Sequence, residues 1–373
     1  ACMKNPCLFL TLLIVLSASL HTNAFGHINS PQPPEDSLTF YDGHSFPIIG
    51  KFHDEKNYHR FPYADSGSLR KPVWNLSLHS AGISIRFRTN ATRIAVRWTP
   101  LNDAGMPHMA ATGVKGVDLY AYEKDHWQYA GTGFPREKTN QAFLLNNGDG
   151  VEREYVLNLP LYDGVESLSI GVNTEAVISA PKDPRLLSNK PVVYYGSSIA
   201  QGGCASRPGL AFTNILSRKL DRSFINMGFS GNGTFDSSVG DGMARVNAAL
   251  YVIDCNPNTK AELIYDGAVN LVRLLKNRQP AIPILLVEGF HYDTDFFKAN
   301  RNQDVDKKRA ELRRAYEALK KSGVKNLYYK KGDNLTGNDY EGTVDGVHPN
   351  DLGMMRIANA LAPAIRSAIR KGE

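Results

Sequence analysis

The chain has 373 residues, of which 42% are hydrophobic and 21% are charged, and its formal net charge at pH 7 is +6. These values are typical of a soluble globular protein with room for two domains. The densest basic run, residues 306–321, carries its charges on a predicted helix with an apolar stripe of Leu312, Tyr316 and Leu319. We interpret it as a solvated helix face, and nucleic acid is not an expected partner.

The first elements in chain order predict a secretory signal peptide. An apolar core over residues 8–20 follows a lysine and precedes a small-residue cleavage site near Ala24. The segment is too short, and wrongly flanked, for a lasting membrane anchor. Ala1 and Cys2 precede Met3 and are interpreted as cloning residues or a misplaced start. We therefore set residues 1–26 apart and expect a secreted or periplasmic protein.

Residues 36–180 have the pattern of an antiparallel β domain. The segments "ISIRFRT" (83–89) and "RIAVRWT" (93–99) alternate apolar and polar side chains, with Asn90 and Ala91 at the turn between them. Further short strands follow at regular intervals, separated by Gly, Asn and Asp clusters, and no convincing amphipathic helix interrupts them. This pattern predicts an all-β sandwich or jelly-roll domain.

After a linker at residues 179–191, the pattern changes to short apolar runs that alternate with helical periods. The predicted strands are "VVYY" after Pro191 and residues 223–227, 250–254, 282–287 and 326–329. Asp351 is the expected N-cap of the last helix. Alternating strands and helices predict an α/β fold with a doubly wound parallel sheet over residues 188–373. Functional residues are then expected just after the strands.

Four polar segments occupy such positions in this second domain. They are "GSSIAQG" (196–202), "GFSGNG" (228–233), "DCNPN" (254–258) and "DGVHPND" (345–351). Each motif alone is weak, because a Ser-rich turn is usually a cap and a lone histidine is usually structural. Their occurrence in order along one predicted sheet edge is more specific.

Together these segments contain the groups that acyl transfer requires. Ser198 supplies a hydroxyl nucleophile, His348 an imidazole base, and Asp345 a carboxylate that orients the imidazole. An oxyanion hole is expected from the backbone N–H of Gly231, the side-chain amide of Asn258 and the N–H of Ser198. No metal or organic cofactor is required, and no zinc-type cysteine spacing or phosphate-binding loop is present in the sequence.

The four segments resemble the conserved blocks of the SGNH (GDSL-type) hydrolases, whose name gives Ser, Gly, Asn and His in chain order. "GVDLY" (116–120) resembles the Gly-x-Asp-Leu-Tyr signature of related exported bacterial hydrolases with a preceding β domain. The first block departs from the family, since Ser197 stands at the usual aspartate. The third block reads "NPN", which leaves Asn256 as a rival to Asn258.

The resemblance implies ester or thioester hydrolysis without a cofactor. Because a β domain followed by an SGNH domain occurs among carbohydrate esterases, we expect a serine esterase that removes O-acetyl groups from polysaccharides or glycans. The alternatives are a lipase, thioesterase or arylesterase of the same family, and a catalytically weak glycan-binding protein that uses aromatic residues of the β domain. The oligomeric state and a bridge between Cys204 and Cys255 stay open.

Overall fold

Strands dominate the N-terminal half of the computed structural model, and strands alternate with helices in the C-terminal half. The structure describes residues 37–372 apart from residues 104, 185, 188 and 301. The predicted signal peptide lies outside the described residues. Among the residues described, no helix combines the length and the hydrophobicity needed to cross a membrane.

The elements of the N-terminal half are mostly strands of five to nine residues. They are β1 (Leu38–Asp42), β2 (Ile48–Ile49), α1 (Lys71–Ser77), β3 (Ser84–Thr89), β4 (Ile94–Pro100), α2 (Ala111–Val114), β5 (Val117–Glu123), β6 (His126–Gly133), β7 (Asn140–Leu145), β8 (Arg153–Asn158), β9 (Val165–Asn173) and β10 (Ile178–Ser179).

The C-terminal half follows a regular alternation. Its elements are β11 (Val192–Gly196), α3 (Ser198–Gln201), α4 (Phe212–Leu220), β12 (Phe224–Gly228), α5 (Ser237–Ala244), β13 (Leu250–Asp254), α6 (Ala261–Arg278), β14 (Ile284–Val287), α7 (Gln303–Lys321), β15 (Leu327–Lys330) and α8 (Asp351–Gly372).

Two antiparallel sheets form a β sandwich in the N-terminal half, as predicted. One has the strand order β1-β9-β4-β7 and the other the order β10-β3-β8-β5-β6, with β2 paired to β3. Side chains from both sheets, such as Val96 and Ile170 from one and Phe87 and Leu157 from the other, share one hydrophobic core. The predicted sandwich is therefore confirmed.

The turn between β3 and β4 does not form a hairpin. The two strands do not pair with each other, because β3 pairs with β8 and β4 pairs with β7 and β9. The turn at Asn90 and Ala91 therefore carries the chain from one sheet to the other. Two short helices, α1 and α2, also interrupt the β region, and both are too short to produce a helical period in the sequence.

A parallel sheet with the order β12-β11-β13-β14-β15 forms the centre of the C-terminal half. One face packs against residues of α5, α6 and α7, and the other against residues of α4 and α8. The doubly wound α/β prediction is confirmed. The basic run lies on α7, where Leu312 and Leu319 are buried, which agrees with a solvated helix face.

The two halves share their hydrophobic cores. Phe61, Leu69 and Val73, which precede β3, pack into the core beneath α5 and α6. Met109 and Val114 join the core on the opposite face of the parallel sheet. Residues 38–373 accordingly form one compact unit.

The structure also corrects the predicted N-cap of α8. The Oδ1 atom of Asn350 accepts a hydrogen bond from the Gly353 N–H at 3.0 Å, which is the bond of an N-cap residue. Asp351 is instead the first residue of α8 and accepts hydrogen bonds from the backbone N–H and the hydroxyl of Ser206. Its carboxylate therefore fastens the helix start to the segment after α3.

Asp118, the aspartate of "GVDLY", joins the β sandwich to the C-terminal half. It lies on β5 with no solvent exposure, and it accepts hydrogen bonds from Arg207 Nη1 at 2.6 Å and from the Gly209 N–H at 2.9 Å. The Asn158 amide donates to its other oxygen at 2.8 Å. The signature is thus explained by an interface between the two halves.

We expect Asp118→Ala to destabilise the protein by about 3–5 kcal/mol, because a buried ion pair would lose one partner and leave Arg207 uncompensated. The free energy of unfolding, measured in guanidinium chloride by tryptophan fluorescence, tests this. Asp103→Ala is the matched control, because the Asp103 side chain is 97% exposed in its pair with Lys115. Equal losses in the two variants would contradict the proposed interface role.

Candidate active site

Ser198, His348 and Asp345 lie in one hydrogen-bonded chain at the carboxyl edge of the parallel sheet. Ser198 Oγ and His348 Nε2 are 2.9 Å apart, and His348 Nδ1 and Asp345 Oδ2 are 2.7 Å apart. Ser198 begins α3 directly after β11, and His348 lies on the loop of residues 343–350, here called the His348 loop. The structure therefore brings together the three residues that the sequence suggested, in the order nucleophile, base and orienting acid.

The two adjacent serines have different partners. Ser197 is the N-cap of α3, and its Oγ accepts a hydrogen bond from the Ile199 N–H at 3.3 Å. Ser198 instead directs its hydroxyl to the imidazole of His348. This geometry favours Ser198 as the nucleophile and gives Ser197 a capping role.

Hydrogen bonds hold the Asp345 carboxylate in its ionised form. Burial alone would raise its pKa, but the backbone N–H and the ring of His348, together with the Val347 N–H, outweigh that effect and lower the pKa to about 2. Asp345 therefore carries a negative charge throughout the neutral range. It can fix the His348 tautomer and stabilise an imidazolium.

Gly231 and Asn258 lie on the two loops that follow β12 and β13. Gly231 has a φ of +68°, and a Cβ added there would meet nothing within 4 Å. The left-handed backbone therefore explains why this position is a glycine, since there is space for a side chain. Asn258 Oδ1 accepts from the Gly233 N–H at 3.2 Å, so its amide nitrogen is the group left to donate to a substrate.

Asn256, the rival candidate, is in a different position. It is 1% exposed, and both of its side-chain polar atoms are buried without a hydrogen-bond partner among the described residues. Asn258 is only partly buried and contacts the loop of residues 228–233, here called the Gly231 loop. The structure therefore favours Asn258 as the oxyanion donor.

Two arginines from the N-terminal half hold the Gly231 loop, and neither is suggested by a local sequence motif. The buried Arg60 donates through Nη1 to the carbonyl oxygen of Gly228. Arg70 donates to Asn232 Oδ1 at 3.1 Å and to Asp236 Oδ1 at 2.7 Å. The β region therefore helps to fix the loop that carries Gly231.

The β region also supplies a wall of the site. The ring centroids of His108 and His348 are 5.5 Å apart, and His108 lies in the segment "PHMAATGVKGVDLY", which directly precedes and includes the signature. The same segment makes an interdomain contact, since Thr112 Oγ1 donates to the Ser206 carbonyl oxygen. The segment therefore contributes both to a wall of the site and to the contact between the two halves.

The cysteines that remain after the predicted signal peptide are both free and buried. Cys204 lies after α3 and Cys255 directly after β13. Burial raises the pKa of the Cys204 thiol to about 12, with a further contribution from the charge of Asp345. The possible bridge between the two cysteines is not formed.

Comparison with known proteins places this arrangement in a family. The model of the GDSL-like lipase/acylhydrolase family matches residues 189–366, and a model of the GxDLY N-terminal domain of SGNH-hydrolase-type esterases matches residues 38–178. A candidate GDSL-like lipase from Bacteroides ovatus, whose structure is known, has 36% sequence identity to this chain and a TM-score of 0.86. The match covers 90% of this chain and 98% of the lipase chain. The chain belongs to the GDSL-like lipase/acylhydrolase family. The resemblance inferred from the sequence is thereby confirmed.

More distant relatives share the fold of this GDSL-like hydrolase. A salicylyl-acyltransferase from a tetracycline biosynthetic pathway has a TM-score of 0.70 at 17% identity, over 90% of this chain and 96% of its own. A family two carbohydrate esterase from Cellvibrio japonicus has a TM-score of 0.58 at 13% sequence identity, and the match covers 90% of this chain and 99% of the esterase chain. No curated protein matches the sequence.

We expect Asn258→Ala to lower kcat for p-nitrophenyl acetate by about 10²–10³-fold, because one donor to the oxyanion would be lost. Asn256→Ala is the matched control, since Asn256 is 1% exposed, and its kcat should stay within a few-fold of the wild-type value. The reverse order of effects would transfer the donor role to Asn256.

Proposed function

We propose that this protein is an exported serine esterase that removes O-acetyl groups from carbohydrate by a Ser198–His348–Asp345 mechanism. The observation that carries the proposal is the 2.9 Å contact between Ser198 Oγ and His348 Nε2, with Asp345 bonded to the far ring nitrogen. Such a chain provides a base for the hydroxyl proton and a charge that stabilises the protonated base. The family of acyl hydrolases supports the reaction class.

In the first step, the neutral imidazole of His348 accepts the hydroxyl proton as Ser198 Oγ attacks the acetyl carbonyl carbon. The negative charge that develops on the carbonyl oxygen is stabilised by the N–H groups of Ser198 and Gly231 and by the Asn258 amide. His348 then gives its proton to the departing sugar oxygen. An acetyl-enzyme and a free sugar hydroxyl result.

In the second step, water replaces the sugar. His348 removes a proton from this water as the oxygen attacks the acetyl carbon, and it returns the proton to Ser198 Oγ as that oxygen departs. Acetate is released, and the enzyme regains its starting state. Asp345, ionised at neutral pH, stabilises the imidazolium in both steps.

Two observations support carbohydrate as the substrate. Among the structures with the same fold are family two carbohydrate esterases, one of them in complex with cellohexaose. A polar cavity of about 240 Å³ is also lined in part by Asp293, whose backbone contacts the His348 loop, and its other aromatic, amide and carboxylate side chains include Tyr292 and Asn334. Such a lining suits a sugar better than a long acyl chain.

The loop beside this cavity presents aromatic rings at the surface. The Asp293 N–H donates to the Gly346 carbonyl oxygen at 2.9 Å, so this segment is attached to the His348 loop. Phe297, 91% exposed, packs edge-on against Phe296, whose ring centroid is 5.1 Å from that of Tyr340. We propose that this aromatic cluster (Phe296, Phe297 and Tyr340) supports the polysaccharide chain.

We expect Ser198→Ala to abolish acetate release from acetylated xylan, pectin or sialoglycans, because the variant has no nucleophile. Asp345→Asn should lower kcat by about 10⁴-fold while the fold is kept, because the imidazole would lose its orienting charge. Acetate is measured enzymatically, and Ser197→Ala is the matched control. Wild-type acetate release by Ser198→Ala would refute the mechanism.

The same assays separate the alternatives. A series of p-nitrophenyl esters should show a steep loss of rate beyond the shortest acyl groups, whereas a lipase or thioesterase would prefer longer ones. Glycan binding without turnover of any ester would indicate a binding protein.

We expect Phe297→Ala to lower kcat/KM for acetylated polysaccharide by about 2- to 10-fold, the scale of one lost aromatic contact, through a higher KM. The quantity to measure is the ratio of kcat/KM on the polymer to kcat/KM on p-nitrophenyl acetate. Phe134→Ala is a matched control, because Phe134 is also exposed, at 58%, but lies after β6. A ratio that falls equally in both variants would count against the aromatic cluster.

A further inference from the structure

Three side chains with metal-ligating atoms meet beside the proposed nucleophile. The ligand atoms of His108, Cys204 and His348 lie within 4.8 Å of one another. His108 is half-buried and comes from the β region, whereas Cys204 follows α3 and is 5% exposed. The Cys204 N–H donates to the Pro349 carbonyl oxygen at 3.2 Å, which holds this cysteine next to His348.

Two imidazoles and one thiol are the ligand types that Zn²⁺ prefers. Tetrahedral Zn²⁺ takes nitrogen at about 2.0–2.1 Å and thiolate sulfur at about 2.3 Å, so its ligand atoms lie about 3.5 Å apart. The three ligand atoms, within 4.8 Å of one another, would have to approach somewhat to reach that spacing. Asp345 already holds Nδ1 of His348, and a carboxylate behind a histidine is the usual outer support of a zinc ligand.

We propose that His108, Cys204 and His348 form a binding site for a thiophilic divalent cation such as Zn²⁺, and that the bound cation inhibits the hydrolase. Nε2 of His348 has one lone pair, which either accepts the Ser198 hydroxyl proton or binds the metal. Cys204 loses its thiol proton to solvent as the S–Zn bond forms, and His108 binds through a neutral nitrogen. Water or Ser198 Oγ completes the tetrahedron.

The inhibition rests on the proposed role of His348, but the binding does not, and the experiment keeps the two apart. The full chain, stripped with EDTA, is titrated with Cd²⁺ while the thiolate-to-metal charge-transfer absorbance is followed. In parallel, Zn²⁺ inhibition of p-nitrophenyl acetate hydrolysis is measured and then reversed with EDTA. Each variant is compared with its own metal-free rate.

We expect the wild type to bind one Cd²⁺ per chain with a thiolate band, and Zn²⁺ to inhibit it reversibly. Cys204→Ser should lose the band, and His108→Ala should need about 10-fold or more Zn²⁺ for half inhibition. His108→Gln repeats the second test with a side chain of similar size. His126→Ala and Cys255→Ala are the matched controls, since His126 is exposed and Cys255 lies in the core, and both should behave as wild type.

A wild type without a stoichiometric thiolate band would overturn the site, whatever its esterase activity. Inhibition that is equally strong in wild type, His108→Ala and Cys204→Ser would also overturn it, since the cation would then act elsewhere. If the band appears but Ser198→Ala keeps full activity, the metal site stands and the proposed catalytic role fails.

Discussion

A buried guanidinium joins the β region to the loop that shapes the proposed oxyanion hole. Arg60, with no solvent exposure, donates to the carbonyl oxygens of Leu76, His79, Asn226 and Gly228. A buried cation is costly unless its hydrogen bonds are satisfied, so these carbonyl groups are constrained to stay where they are. Two of them belong to β12. Arg60, a residue distant in the sequence, therefore fixes the backbone that leads into the Gly231 loop.

The parallel sheet explains why the other groups meet. The carboxyl ends of β11, β12 and β13 lie side by side, so the segments after them place Ser198, Gly231 and Asn258 at one edge. His348 comes from a loop before α8, and it is held there because the Val344 N–H donates to its carbonyl oxygen at 2.8 Å. The β region contributes as well, since the Tyr162 hydroxyl donates to the Ser198 carbonyl oxygen at 3.1 Å. Sheet topology brings these groups near one another, and such local bonds orient them.

Sequence patterns predicted what depends on local periodicity and on the order of motifs. The strand at 250–254, the alternation of strands and helices, and the meeting of Ser198 with His348 belong to this class. Sequence patterns could not predict features that depend on contacts between segments distant in the sequence. The alternation in β3 and β4 is the same whether the strands form a hairpin or lie in opposite sheets, and Asn350 and Asp351 are equally good caps by composition. His108 and Arg60 carry no local signal for these roles, because His348 and the β12 carbonyl groups that they contact lie more than a hundred residues away.

The shared cores change how the two family segments should be understood. Phe61 and Leu69 belong by sequence to the segment matched by the GxDLY domain, yet they pack into the core under α5 and α6. The C-terminal segment alone would leave these pockets empty and would lose the Arg60 contacts to β12, which is a cost of several kcal/mol by the scale of buried side-chain deletions, about 3–5 kcal/mol for one phenylalanine. The GDSL-like half therefore shares its hydrophobic core with the β region on both faces of the parallel sheet. Residues of the β region complete that core, and Arg60 contacts the strand that leads into the Gly231 loop.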